Sequence, residues 1–210
     1  MKRVYLTAMA MFATVLFCGS ALANLTGSAH DFKAAAWSGN KICDPCHVPH
    51  KADITEQNAP LWNHQLTTHS PYQVYSSATL TAPVGQPGGI SKLCLSCHDG
   101  TVALDSFGGA TGSTMLSPND EGYIGTDLRG GHPISFTYDD ALAANDGELY
   151  FPTTTSSGLG KTVAVDMLFA GKMECASCHD PHRSDESPDN SPMLKKTNIS
   201  SALCLTCHNK

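Results

Sequence analysis

The chain has 210 residues and a formal net charge of −6, from 13 basic and 19 acidic side chains. This length fits one domain or two small ones. The acidic balance argues against nucleic-acid binding, because contact with phosphates requires an excess of Lys and Arg. An acidic surface can attract a basic partner, or simply keep the chain in solution.

The first 23 residues have the three parts of a secretory signal peptide. Two basic residues follow Met1, residues 4–17 form an apolar run, and small residues at 21–23 offer a cleavage site. We expect export of residues 24–210 as one domain without a transmembrane segment, because no later apolar run reaches the ~18 residues that a span requires. A retained anchor, or a lipid on Cys18, is the less favoured alternative.

Nine cysteines are present, and the eight that follow the leader form four Cys-x-x-Cys pairs, each followed directly by histidine. Numbered in chain order, motifs 1 to 4 are Cys43-Asp-Pro-Cys46-His47, Cys94-Leu-Ser-Cys97-His98, Cys175-Ala-Ser-Cys178-His179 and Cys204-Leu-Thr-Cys207-His208. The pattern leaves no cysteine for a disulfide framework, which is the usual role of cysteine in an exported protein.

C-x-x-C-H is the attachment motif of c-type haem. Thiols separated by two residues reach the two vinyl groups on one porphyrin edge, and the next residue presents an imidazole to the iron. Two Cys₄ zinc sites could use the same thiols, and thioredoxin-like domains contain one such pair each, but neither needs the following histidine. The sequence therefore predicts four covalently bound haems (heme c), with four proximal iron ligands: His47, His98, His179 and His208.

The sixth iron position decides what a haem can do, because a second histidine gives an electron carrier and an open position permits substrate binding. Six other histidines are present. His50 and His182 each follow a proximal histidine by three residues, with proline between, so each would reach a neighbouring haem. Glycines before His132 permit close approach to a flat ring. His30 stands in the short segment before motif 1, where a fixed role other than ligation is hard to supply.

We therefore expect four distal ligands: His30, His50, His132 and His182. His64 and His69 lie in a polar and aromatic segment, and we expect them to pack over a haem edge. Methionine is the competing distal ligand, and four methionines follow the leader: Met115, Met167, Met173 and Met193.

The segments between the motifs lack long amphipathic helices. We expect mostly irregular coil, short α-helical turns at the motifs, and a small β-hairpin formed by residues 148–151 and 161–165. With one haem for about 47 residues of the exported chain, the haems would form most of the core.

Several runs of sequence carry a resemblance to a known family: Cys46-His47-Val48-Pro49-His50, Pro60-Leu61-Trp62-Asn63, Cys97-His98-Asp99-Gly100-Thr101, Gly131-His132-Pro133, Glu174-Cys175, Cys178-His179-Asp180-Pro181-His182 and Leu203-Cys204. They resemble the tetrahaem cytochromes of metal-reducing bacteria, and in particular those that form extracellular filaments. The similarity extends over nearly the whole exported chain. It implies bis-histidine haems in alternating stacked and T-shaped contacts, and subunits polymerised into a conducting wire.

We expect electron transfer rather than enzymatic activity. The expected partners are other redox proteins, extracellular electron acceptors and further copies of the chain. His30 either ligates a haem of the neighbouring subunit or folds back onto the haems of its own chain. A periplasmic monomeric carrier is the alternative. A multihaem reductase with one open iron, or a module that uses haem or metal only as structure, is less favoured.

Overall fold

The structure, a computed structural model, describes residues 25–183 and 193–210. The predicted signal peptide and Cys18 lie outside the described residues. Coil predominates, as the sequence predicted. The described elements are α1 (Gly89–His98), α2 (Asp140–Asp146), α3 (Val163–Asp166), α4 (Cys175–Cys178), β1 (Phe136–Thr137), β2 (Lys172–Met173) and 3₁₀ turns at Phe32–Ala34, Ala36–Ser38, Ile199–Ser201 and Cys204–Thr206.

Each motif lies on a turn of backbone. Motif 2 occupies the end of α1, which at ten residues is longer than the predicted helical turn, and α4 spans the two cysteines of motif 3. A 3₁₀ turn contains Cys204 of motif 4. In motif 1 the His47 amide donates to the Cys43 carbonyl at 2.8 Å, which closes the same kind of turn. Residues three apart face the same side of such a turn, so each pair of thiols is presented together.

The two strands form a small antiparallel sheet in which Phe136 pairs with Met173 and Thr137 with Lys172. The predicted hairpin of residues 148–151 and 161–165 is therefore wrong. The first run pairs instead with the end of motif 4, since the Tyr150 amide donates to the Cys207 carbonyl at 2.8 Å. The second run becomes α3, with Val163 fully buried. Tertiary packing thus gives the first run a different partner and overrides the β propensity of the second.

An apolar cluster supports the part of the fold that contains motifs 3 and 4. Its buried members are Ala82, Phe136, Tyr138, Ala143, Val163, Met167, Leu168, Met173, Leu203 and Cys207. The sequence analysis did not predict a side-chain core of this extent. Two of the methionines considered as iron ligands, Met167 and Met173, pack inside it. Among the described residues, none of the helices combines the length and apolar character needed to cross a membrane.

Candidate haem-binding site

The thiols of successive motifs approach one another in chain order. Between motifs 1 and 2, the charge of Cys46 adds to burial in raising the pKa of Cys97. Between motifs 2 and 3, the Cys94 thiol donates a hydrogen bond to Cys175, and α1 packs against α4. Between motifs 3 and 4, burial and the charge of Cys204 raise the pKa of Cys178. The fold therefore places the four attachment points as one continuous series.

Burial keeps most of these thiols protonated. It raises the pKa of Cys46 to about 11, with a smaller contribution from Cys43. It raises the pKa of Cys207 to about 11 as well. Cys175 differs, since hydrogen bonds from Cys94 and Ser91 lower its pKa. A catalytic or metal-bound cysteine is normally a thiolate with a strongly lowered pKa, and the thiols with a raised pKa differ from that class.

Three proximal histidines each face one of the predicted distal histidines. The rings of His47 and His182 are nearly parallel, with centroids 5.9 Å apart and an interplanar angle of 20°. His98 faces His30 at 5.9 Å and 49°. In the third pair, the ring centroids of His208 and His132 are 6.3 Å apart and the interplanar angle is 71°.

These separations fit one iron between each pair of rings. A metal–imidazole bond is about 2 Å long, and the ring centroid lies about 1 Å beyond the bonded nitrogen, so two rings on one metal have centroids about 6 Å apart. Stacked or edge-packed aromatic rings in direct contact also occur at 4.5–7 Å. The distance alone is therefore compatible with both arrangements, and the orientation of the ring nitrogens is a second observation.

The Nδ1 atoms of three of these rings already have backbone partners. His47 Nδ1 donates to the Pro60 carbonyl at 2.6 Å, and His98 Nδ1 to the Gly122 carbonyl at 2.6 Å. His132 Nδ1 donates to its neighbour's carbonyl, at Pro133, at 2.8 Å. A metal-bound histidine usually donates its second ring nitrogen in this way, which fixes the tautomer and the ring orientation. Nε2 is consequently the nitrogen available to iron.

Two of the other rings in these pairs, His182 and His208, have polar or charged neighbours. His182 Nδ1 lies 3.6 Å from the Asp180 carboxylate. Burial lowers the pKa of His208, and the neighbouring His132 and Lys210 lower it further. A metal ligand must be a neutral imidazole, and this environment favours the neutral form.

His50 and His182, which occupy equivalent places in the sequence, lie in different surroundings. His182 faces the proximal histidine of motif 1, whereas His50 is exposed and shows no ring contact among the described residues. His179 follows α4, and its amide donates to the Cys175 carbonyl at 3.1 Å. The structure thus brings three of the four predicted distal histidines to proximal ones and leaves His50 at the surface.

Two positions were expected for His30, on a neighbouring subunit or folded back onto its own chain. In the single chain its ring lies against His98 of the same chain. The reason is local. Phe32, two residues away, packs between His30 and Trp37, with ring centroids 5.6 and 5.1 Å apart. These contacts fold the N-terminal segment back onto motif 2.

His64 and His69 make contacts that differ from those of the paired rings. His64 is 2% exposed, and both of its ring nitrogens lie near carbonyl oxygens, Gln65 at 2.8 Å and Ala103 at 3.0 Å. Neither nitrogen is directed at another histidine. His69 packs edge-on against Tyr72 at 4.8 Å. The two rings thus act as packing and hydrogen-bonding groups in this arrangement.

Trp62 is a site residue whose role the sequence reasoning did not assign. Its indole is buried and packs edge-on against His47 and His64, with centroids 6.4 Å apart in each case. Its Nε1 is the buried side-chain polar atom that lacks a protein partner among the described residues. A buried donor normally has an acceptor, and a group bound at motif 1 could supply one. The Pro60-Leu61-Trp62-Asn63 run was the available signal.

The alternative of Cys₄ zinc sites has no counterpart in the described parts of the chain, where no three Cys, His, Asp or Glu side chains converge on a common point. The donor sets come instead as pairs: two thiols on one turn, and two imidazoles facing each other. This is the donor set that a c-type haem requires.

Comparison with known proteins gives one family match. Residues 168–210, which contain motifs 3 and 4, match the family described as the doubled CXXCH motif. No curated protein matches the chain. The match covers the last part of the sequence, and motifs 1 and 2 repeat the same pattern outside it. Together with the paired imidazoles, it supports a multihaem c-type cytochrome with covalently attached haem c.

Proposed function

We propose that this protein transfers electrons through four covalently bound, bis-histidine c-type haems, and that it is an exported electron carrier rather than an enzyme. Each haem iron, when bound, takes up and releases one electron. The observation that carries the proposal is the set of three imidazole pairs at centroid distances of 5.9, 5.9 and 6.3 Å. Each pair joins the proximal histidine of one motif to a histidine far away in the sequence.

The chain's own residues perform three tasks in this proposal. Four cysteine pairs on turns fix the position of each cofactor. Backbone carbonyls at Pro60, Gly122 and Pro133 orient the imidazoles through Nδ1. The packing of α1 against α4, the helices of motifs 2 and 3, keeps the attachment edges of these motifs together. An iron with two histidines has no open position, which favours electron transfer over substrate turnover.

The pairings also suggest which histidine serves which motif. His182 would complete the site of motif 1, His30 that of motif 2, and His132 that of motif 4. His50, exposed beside motif 1, is the remaining predicted ligand. Its position at the surface gives it access to an iron on its own chain or on another.

For the physiological setting we favour the extracellular filament that the sequence resemblance implies, with electron acceptors outside the cell. A periplasmic monomeric carrier is the second candidate, and one observation favours it. His30 packs against His98 of the same chain, so the site of motif 2 needs no ligand from a neighbour.

Two measurements test the proposal in sequence. First, the mass of the exported protein, denatured and acid-extracted, should include four haems, and the Cys204→Ser/Cys207→Ser variant should lose one of them. A mass equal to the bare chain plus zinc would contradict the proposal. Second, electron microscopy of exported material separates the two settings, because filaments support the wire and uniform single particles support the monomeric carrier.

A further inference from the structure

A buried carboxylate lies between motifs 2 and 3. Glu174 precedes the first cysteine of motif 3 and is 3% exposed. Its side chain accepts hydrogen bonds from the hydroxyl groups of Ser91 and Ser135 and from the Ser177 amide. Ser91 belongs to α1, Ser135 to the coil before β1, and Ser177 to α4. Three converging donors from three segments form a site built to hold an acceptor, as an ionised carboxylate is.

Among the residues that the structure describes, no positive side chain forms an ion pair with this carboxylate. The ion pairs found there involve other acids. A buried charge without a countercharge costs several kcal/mol unless hydrogen bonds or a nearby opposite charge offset it. A hydrogen-bonded carboxyl that serves only to cap α4 needs no buried charge, because the four-residue helix could be capped by a neutral side chain.

The position of Glu174 points to the haem irons of motifs 2 and 3 as its countercharge. Its neighbour Cys175 has its Sγ against Cys94, so the attachment edges of motifs 2 and 3 meet beside the carboxylate. Gly89, at the start of α1, is close enough that an added Cβ would lie 3.4 Å from Glu174 Oε1. The carboxylate is therefore enclosed by the two elements that carry these attachment points.

We propose that the negative charge of Glu174 lowers the reduction potentials of the haems at motifs 2 and 3. This inference rests on the proposed function. A haem iron bound at these motifs would lose one positive charge on accepting an electron from the reductant, Fe(III) + e⁻ → Fe(II), with no bond made or broken at the carboxylate. The negative charge stabilises the more positive oxidised state, so its removal makes reduction easier. Glu174 thus acts on the haems through its negative charge, and it is not an iron ligand.

The test is the Glu174→Gln variant, which keeps the size and one acceptor oxygen but removes the charge. Potentiometric titration of the haem-loaded protein with dithionite as reductant, followed at the reduced haem absorption band, measures the potentials. For two of the four haems we expect the reduction equilibrium constant to increase roughly tenfold. This corresponds to a rise in potential of about 59 mV for a one-electron couple. Glu174→Asp, which keeps the charge, should restore the low values.

Glu56→Gln is the matched control. The Glu56 carboxylate also lies at the start of α1, where it accepts the Gly89 amide at 2.7 Å, but Lys92 Nζ already opposes its charge at 3.1 Å. We expect a smaller shift for this variant than for Glu174→Gln. A purely structural role for Glu174 predicts lower stability in both Gln and Asp variants, with unchanged potentials.

The haem count separates the two hypotheses. A wild-type chain without four haems refutes the proposed function, whereas a Glu174→Gln protein with four haems and unchanged potentials refutes only the role of Glu174. If Glu174→Gln does not load four haems, Ser135→Ala supplies a second test that keeps the charge. Loss of the hydroxyl dipole leaves the carboxylate less neutralised, so the same two potentials should fall. A rise, or no change, would overturn the inference.

Discussion

The pairing of His182 with motif 1 gives the sharpest prediction. His182 lies directly after motif 3, so sequence proximity alone would connect it with the haems nearest to that motif in the chain. The structure instead places its ring nearly parallel to that of His47, with centroids 5.9 Å apart and 20° between the ring planes. His182→Ala should therefore remove one axial ligand from the haem attached at Cys43 and Cys46, while all four haems stay covalently bound.

The expected magnitude follows from the count of motifs. One haem in four should change from six-coordinate low spin to high spin, so about a quarter of the iron should change its optical and electron paramagnetic resonance signal. The orientation of the axial rings identifies which haem has lost its second ligand. Nearly parallel axial rings, as in this pair, give a rhombic low-spin signal. Nearly perpendicular rings, at 71° for His132 and His208, give a strongly anisotropic one. His182→Ala should remove the rhombic signal, and His132→Ala the other.

A double variant tests the assignment itself. In a Cys43→Ser/Cys46→Ser background, which removes the haem of motif 1, the further change His182→Ala should add no high-spin iron, because its target is already absent. His132→Ala in the same background should convert one of the three remaining haems. Such non-additivity is the expected signature of two groups that act on one site. High-spin iron from His182→Ala in that background would refute the pairing of His182 with His47, and His64→Ala should leave every haem low spin.

Two further predictions concern buried polar groups around motif 2. Tyr72→Phe removes the hydroxyl donor to the buried Asp99 carboxylate, so the free energy of unfolding should fall by about 1–3 kcal/mol in chemical denaturation, whereas Tyr75→Phe should have little effect. The second concerns pH. Burial lowers the pKa of His64 more than its carbonyl partners raise it, so the unfolded chain binds a proton more readily below about pH 6.5. The free energy of unfolding should therefore fall as pH drops through that value, and His64→Gln should reduce this slope. An unchanged slope would contradict the prediction.

The chemistry of attachment could be predicted from the sequence because it is local. Five consecutive residues contain both thiols and the proximal imidazole, and a single turn of backbone places them correctly wherever the chain puts that turn. The predominance of coil followed from the same sequence, since the segments between motifs lack helical periodicity. Motif 1 illustrates the point: it lies on a simple turn closed by the His47 amide, without any regular helix around it.

The distal histidines could not be assigned in this way, because their targets are non-local. His50 and His182 follow the same Cys-His-x-Pro-His pattern, yet one is exposed and the other faces His47, 135 residues earlier in the chain. Only the packing of the segment after motif 3 against motif 1 distinguishes them. The burial of Glu174 is likewise a product of three segments meeting, so the sequence around it shows only an acid before a cysteine.

The missed secondary structure has the same physical cause. Residues 148–151 have strand propensity, and the sequence alone offers residues 161–165 as the nearest partner. In the folded chain the backbone near Tyr150 pairs with motif 4, while Val163 is buried in the apolar cluster at the start of α3. Short runs have weak intrinsic preferences, and the available backbone partners and buried surface decide their conformation. The sequence by itself therefore determined the cofactor chemistry, and the tertiary structure decided which groups surround each cofactor, because those groups come from segments that meet only when the chain folds.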